Sequence, residues 1–291
     1  MSDAEFDYDA AFSRNIGWVT EAEQQRLRGS RVAIAGMGGV GGIHLLALAR
    51  LGIGRFSISD FDTFDIVNFN RQVGATVSSL GRSKSEVLSE LLLDINPTAS
   101  VRRFDEGVSA QNVEAFLEGA DLYVDGLDFF AFEARRTTFA TCRRLGIPAI
   151  TAAPLGIGVA FLYFDPQGMS FDDYFGLEAC DEQEMAVRFL LGLSPRMLQR
   201  GYLADPSRVD LAAHKGPSTI AACQLCAGVI AAEALKLLLG RGTLAAAPHG
   251  YQFDAYRSCM VKTWRPGGHR NPLQRIALAI ARRQLAAMGG R

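Results

Sequence analysis

The pattern of apolar and polar positions changes period repeatedly along the chain. Residues 1–30 are polar and helix-prone, with Phe12, Ile16, Trp18, Val19 and Leu27 as scattered apolar anchors. Arg31-Val-Ala-Ile-Ala35 is short, apolar and stopped by Gly36, which predicts a buried strand. Past a glycine cluster, Ile43, Leu45, Leu46, Leu48, Ala49 and Leu51 predict a helix apolar over most of its surface, closed by Gly52. Arg55-Phe-Ser-Ile-Ser59 reads as a second strand, ending at Asp60. Strand, tight turn, helix and strand make a βαβ unit, the building block of parallel sheets. The alternation continues through helix 84–94, strand 101–104, helix 110–117, strand 121–125, helix 132–145 and strand 148–151. The pattern predicts an α/β fold with a doubly wound, mainly parallel, Rossmann-like sheet.

After Gly156 the pattern changes. Residues 158–164 predict a strand, with an antiparallel setting open to it, closed by Asp165-Pro166. Residues 168–216 are mixed, with few clear strands, and a connection of that length in a compact domain suggests a functional insertion. A strong helix follows over 220–239, then a hairpin of 251–256 with 259–264, then a basic amphipathic helix over 273–288. The expected organisation is a helical arm (1–30), a Rossmann-like part (31–165), a crossover insert (166–216) and a C-terminal part (217–291) completing the same domain.

Composition narrows the class. At 291 residues, 48% apolar and 21% charged, the chain can bury a large core without metal or disulfide staples. With 30 basic against 31 acidic side chains, nothing global attracts a polyanion, so duplex nucleic acid is not an expected partner. Five cysteines suggest reduced thiols. The acidic N-terminus lacks the order of a signal peptide, and the apolar stretch 226–239 carries Glu233 and Lys236 and is short for a bilayer. These features point to a cytoplasmic protein with no membrane partner.

Gly36-Met-Gly38-Gly39-Val-Gly41-Gly42 follows a strand and opens a helix. Such a loop lets backbone N–H groups approach a phosphate at the positive helix end. Asp60, about 20 residues on, stands where a carboxylate can hold a ribose hydroxyl. The loop alone says that a nucleotide binds and leaves an NAD or FAD oxidoreductase open. Beyond Asp60, however, come Asp62, Asn68, Arg71, a helix-opening Lys84 after Gly81-Arg-Ser, and Asp125-Gly-Leu-Asp128 at another strand end. A nicotinamide pocket has no use for such ionic groups. Triphosphate chemistry needs cations for the charge on phosphorus and leaving pyrophosphate, and a carboxylate for Mg²⁺.

With Gly-x-Gly-Gly-Val-Gly, Asp-x-Asp, Asn-x-x-Arg-Gln, the helix-opening lysine and Asp-x-x-Asp in this order, the chain resembles the ThiF/MoeB/HesA superfamily of E1-like adenylyltransferases. The likeness spans roughly residues 8–165 and 217–255, and Phe12-Ser-Arg14-Asn resembles the family's N-terminal arginine element. The resemblance implies an E1-like adenylation domain that uses ATP and Mg²⁺ to adenylate the C-terminal carboxylate of a ubiquitin-like or sulfur-carrier protein. It implies that Asp60 binds ribose, that Asn68 and Arg71 bind phosphates, that Lys84 holds the α-phosphate region and that Asp128 holds Mg²⁺. It also implies that Arg14 reaches into the neighbouring subunit's site, and hence a homodimer. An acceptor carboxyl on modified tRNA or on a peptide is the other reading within the family.

The chain departs from the family pattern in its cysteines. Many relatives carry two Cys-x-x-Cys pairs for structural zinc. Here only Cys223-Gln-Leu-Cys226 occurs, in an apolar helical run, so core packing is expected and zinc is not. Cys180, in the insert, is a candidate covalent nucleophile, although its acidic neighbours raise a thiol's pKa. Cys142 reads as packing and His44 as a rim or core residue. His214 and Lys215 stand where they could line the acceptor entrance. The last helix, with Arg275, Arg282 and Arg283, packs by default on its own domain, and Gly289-Gly290-Arg291 reads as a frayed end.

Overall fold

The structure is a computed structural model describing residues 6–210 and 213–289. The arm carries α1 (Tyr8–Phe12) and α2 (Glu21–Gly29). Then come β1 (Arg31–Ala35), α3 (Gly41–Arg50), β2 (Arg55–Ser59), α4 (Lys84–Ile95), β3 (Ser100–Phe104), α5 (Val113–Leu117), β4 (Leu122–Asp125), α6 (Phe132–Leu145), β5 (Ala149–Pro154) and β6 (Gly158–Phe164). The remaining elements are α7 (Phe171–Phe175), α8 (Glu182–Leu193), α9 (Ile220–Leu239), β7 (His249–Asp254), β8 (Cys259–Trp264) and α10 (Pro272–Gly289).

The strands form one sheet in the order β3-β2-β1-β4-β5-β6-β7-β8. Pairing is parallel from β3 through β5 and antiparallel from β5 to β8. The order reverses between β1 and β4, which makes their carboxyl ends the switch point where an open α/β sheet takes its ligand. Side-chain alternation assigns the two faces. Val32, Ile34, Leu122, Val124, Val159 and Phe161 face a core shared with α3, α4 and α9. Ala33, Ala35, Tyr123, Ala160 and Leu162 face the opposite core under α5, α6, α7 and α8. Burial of these two faces is the main source of stability.

The structure differs from the sequence expectation in two places. The helix expected over 110–117 begins only at Val113, because Asn112 turns back on the preceding loop. Its Oδ1 accepts from Ser109 N at 2.8 Å and its Nδ2 donates to the Gly107 carbonyl at 2.7 Å. Ile16 and Trp18, expected as anchors, are 41% and 84% exposed. The insert carries α7 and α8, and α8 buries Val187 and Leu191 against Leu278 of α10. The apolar helix α9 starts at Ile220 and has 20 residues, so by length and composition alone it could cross a bilayer; half of its apolar window is buried in the fold. It packs against α3, β5 and β6 as the central helix of one core.

Candidate functional site

The glycine loop is made by backbone packing. Gly36 ends β1 with φ +85°, a conformation that glycine adopts at no steric cost. A Cβ on Gly41 would overlap the Gly36 carbonyl oxygen, and one on Gly36 would overlap the Gly126 carbonyl after β4. Three strand-and-helix ends therefore meet backbone to backbone at the switch point. Gly38, by contrast, faces open space, with Gln72 Nε2 as the nearest atom, 3.8 Å from a Cβ placed there.

Asp60 fixes this loop. Its Oδ2 accepts from Met37 N at 2.6 Å and its Oδ1 from Asp62 N at 2.8 Å. Burial pushes its carboxyl above the usual range, against the opposing pull of those two N–H groups and of Lys84. Thr63 and Phe64 then bridge to Ser83 and Leu80, which folds the 65–80 excursion back on itself. The return sets Lys84 at the first position of α4, behind the cap Ser83. Lys84 N donates to the Asp62 carbonyl at 3.0 Å and Nζ lies 2.9 Å from Asp62 Oδ2.

Arg71 lies along the loop. A Cβ on Gly39 would sit 3.6 Å from Arg71 Cγ and 3.3 Å from Cys223 Sγ. Arg71 Nη1 donates to the Val67 carbonyl at 3.1 Å and to Asn70 Oδ1 at 2.9 Å, while Asn70 Nδ2 donates to the Ser218 carbonyl at 2.9 Å. The segment before α9 is thereby drawn to the glycine loop. Asn68 is buried, and its Oδ1 accepts from Asp65 N at 3.0 Å, closing its own turn. Asp128 is exposed in the loop after β4, with Oδ1 accepting from Phe130 N at 3.0 Å and no hydrogen bond to Oδ2 among the described residues.

Gly36, Gly38, Gly39, Gly41, Asp60, Asp62, Asn68, Arg71, Lys84 and Asp128 thus all lie on the carboxyl edge of β1, β2 and β4 or on the excursion packed against it. Arg14 does not. It is exposed, and the arm around it is tied to the far end of α3: Asn15 Nδ2 donates to Gln24 Oε1 at 3.3 Å, and Gln24 Nε2 donates to the Leu51 carbonyl at 3.0 Å. A helix of α3's length separates that point from the glycine loop by about 15 Å.

Among the cysteines, Cys223, Cys226 and Cys142 are buried, and burial raises all three thiols. Arg71 and Ser218 oppose that rise at Cys223. Sequence reasoning did not foresee Cys223 beside the loop, because the contact joins residues far apart in the chain. Cys180 is half-buried in a turn after Ala179 (φ +54°), its Sγ 3.6 Å from the Gly176 carbonyl oxygen and 3.5 Å from that of Glu178. His214 stacks on Phe130, ring centroids 4.1 Å apart, with Nε2 3.2 Å from Glu182 Oε1. This brings the end of the insert onto the Asp128 loop.

The donor set suits Mg²⁺ held partly by a nucleotide. No group of three or more His, Cys, Asp or Glu side chains that could hold a metal occurs among the described residues. Asp128 instead offers one open carboxylate oxygen next to a phosphate-type loop, which matches a cation that keeps few protein ligands and takes phosphate oxygens.

Over 151 residues the chain is 36% identical to the tRNA threonylcarbamoyladenosine dehydratase of Haemophilus influenzae, covering 52% of this chain and 57% of that protein. Over 143 residues it is 31% identical to the sulfur carrier protein ThiS adenylyltransferase of Escherichia coli, covering 49% of this chain and 56% of that one. It therefore spans just over half the length of these relatives. Among solved structures, Escherichia coli MccB with ATP has the same fold, with a TM-score of 0.68 at 18% identity over 94% of this chain and 75% of that one. The ThiF family model matches residues 12–276, and on that match the chain belongs to the ThiF family.

Proposed function

We propose that this chain uses Mg·ATP to adenylate a carboxylate, the C-terminal glycine of a small ubiquitin-like or sulfur-carrier protein. The observation that carries this reading is the convergence of Arg71 and Lys84, with the open carboxylate of Asp128, around one glycine loop at the switch point. The named activity of the ThiS adenylyltransferase relative supports the choice of acceptor.

In this reading the loop Gly36, Gly38, Gly39 and Gly41 offers N–H groups to the phosphates. Asp60 takes the ribose hydroxyls, and Asp62 keeps Lys84 aimed at the α-phosphate until the nucleotide replaces it. Arg71 contacts the phosphates, as does Asn68 through Nδ2, since its carbonyl is engaged in its own turn. Asp128 would hold Mg²⁺, which when bound neutralises charge on the phosphate oxygens. The acceptor carboxylate attacks the α-phosphorus, the bond to the β-phosphate oxygen breaks, and pyrophosphate leaves an acyl-adenylate behind. A carboxylate is already ionised at neutral pH, so no base is required. Positioning and electrostatics do the rest.

Arg14 is exposed on an arm tied to the far end of α3, which supports its action in the site of a second copy. Ile66, Val67 and Val77 on the 65–80 excursion are 62%, 68% and 81% exposed, an apolar face suited to that homodimer. Cys180 has no part in the adenylation step itself, and a covalent role would belong to a later transfer.

A carboxyl on modified tRNA is the second reading, favoured by the likeness to the tRNA dehydratase. ATP–pyrophosphate exchange separates the two. Exchange that starts only when a glycine-terminated carrier protein is added supports the first, and exchange that starts only with tRNA supports the second.

A further inference from the structure

The loop that carries Asp128 is built around one buried guanidinium. Asp125, the last residue of β4, faces α6, and Arg135 of α6 meets it with both side chains 2% exposed. Arg135 Nε donates to Asp125 Oδ2 at 2.8 Å. Its Nη1 donates to the Phe129 carbonyl at 3.2 Å, and Nη2 donates to the carbonyls of Leu127 and Asp128 at 2.8 and 2.9 Å. Asp125 Oδ1 completes the set by accepting from Leu127 N at 3.2 Å. The Phe189 ring of α8 packs on the guanidinium, 4.7 Å from its centroid.

Three successive carbonyls thus turn inward onto one side chain. With its carbonyl held inside, Asp128 keeps an exposed carboxylate whose Oδ1 accepts from Phe130 N at 3.0 Å, in the loop that follows β4. Only arginine has a rigid fork of donors able to meet one carboxylate and three carbonyls together, whereas lysine supplies a compact charge on a flexible stem. Burying a guanidinium is costly before its partners compensate, and a loop that merely had to turn is made more simply with Gly or Asn.

We infer that Arg135 is a positioning residue for the divalent cation: through the carbonyls of Leu127, Asp128 and Phe129 it fixes where the Asp128 carboxylate meets Mg²⁺. The inference rests on the reading of Asp128 given above.

Calorimetric titration of the whole chain with ATP, once with Mg²⁺ and once with EDTA, tests it. In the wild type Mg²⁺ strengthens ATP binding, and Asp128→Asn removes that gain. Arg135→Lys keeps the charge opposite Asp125 but cannot span the three carbonyls. It reduces the Mg²⁺ gain by about tenfold or more, the range seen when partners that orient a metal ligand are removed. Binding in EDTA stays within about twofold of wild type, and adding Arg135→Lys to Asp128→Asn costs nothing further beyond that margin. The pair Asp125→Asn with Arg135→Gln removes both buried charges together and carries the same expectation should Arg135→Lys not fold. A folded Arg135 variant with the full Mg²⁺ gain overturns the inference. So does an equal loss with and without Mg²⁺, which is the mark of a merely structural arginine. If Asp128→Asn itself keeps the Mg²⁺ gain, the reading of Asp128 falls and this inference falls with it.

Discussion

Lys84 Nζ lies 2.9 Å from Asp62 Oδ2, with the lysine side chain 7% exposed and the aspartate 54% exposed. The stem of the lysine is buried at the start of α4, while its partner is exposed to water and can be displaced. An arriving phosphate can therefore take over the ammonium without the stem moving, which is the preorganisation that electrostatic catalysis uses. Lys84→Ala should lower ATP–pyrophosphate exchange by about a hundredfold or more while the melting temperature stays near wild type. Lys84→Arg should not restore it, because a planar fork does not replace a compact charge at a buried site. Normal exchange in Lys84→Ala would remove the residue from the site.

The proposed action of Arg14 in the site of a second copy is tested by mixing variants. Arg14→Ala and Asp128→Ala should each be inactive alone. Mixed and allowed to exchange subunits in equal amounts, they should recover about a quarter of wild-type activity, because half the dimers are mixed and each of those holds one complete site. Recovery is read directly from pyrophosphate exchange, and none at all would rule out action across the dimer.

The glycines separate into structural and ligand-facing positions. Gly41→Ala drives a Cβ into the Gly36 carbonyl and should destabilise the fold by about 3 kcal/mol or more in denaturant titration. Gly38→Ala meets nothing closer than 3.8 Å, so its stability should be unchanged and any effect should appear in ATP affinity alone. Equal destabilisation by both would contradict this division.

His44 of α3 is fully buried with both ring nitrogens unpartnered, and burial depresses its pKa from 6.5 to about 3. The unfolded chain takes up a proton between those values that the native state refuses. Its contribution is therefore fully present above pH 6.5 and lost as pH falls through that window. Between pH 6.5 and 5 this one group should cost about 1.5–2 kcal/mol of stability. His44→Leu should lack that part of the pH slope. Parallel pH profiles for the two proteins, measured by urea unfolding, would place the proton elsewhere.

Much of this was legible in the sequence where local pattern decides structure. The strands Arg31–Ala35, Arg55–Ser59 and Gly158–Phe164 and the helices Phe132–Leu145 and Ile220–Leu239 stand where periodicity and glycine stops put them. The glycine loop, Asp60, Asp62, Arg71, Lys84 and Asp128 stand at or just beyond the carboxyl ends of β1, β2 and β4 because short spacings after parallel strands fix where strand ends lead. What depended on contacts across the chain was not legible. Cys223 touches Gly39 through the packing of α9 on α3, and His214 reaches Phe130 through the fold of the insert. Arg135 left a fainter signal: it stands on the same stripe of α6 as Phe132, Phe139 and Cys142, a charge where the helical period calls for a core residue. Nor was the packing of α8 on Leu278 of α10 legible, since it joins segments far apart in the chain.

Whether the glycine loop serves ATP is tested most directly by calorimetric titration of the protein with Mg·ATP beside Lys84→Ala, with NAD⁺, NADP⁺ and FAD as competitors. ATP should bind at micromolar concentration, more weakly by far in the variant, and undisturbed by the dinucleotides. Tight binding of a dinucleotide with no response to ATP would contradict this expectation.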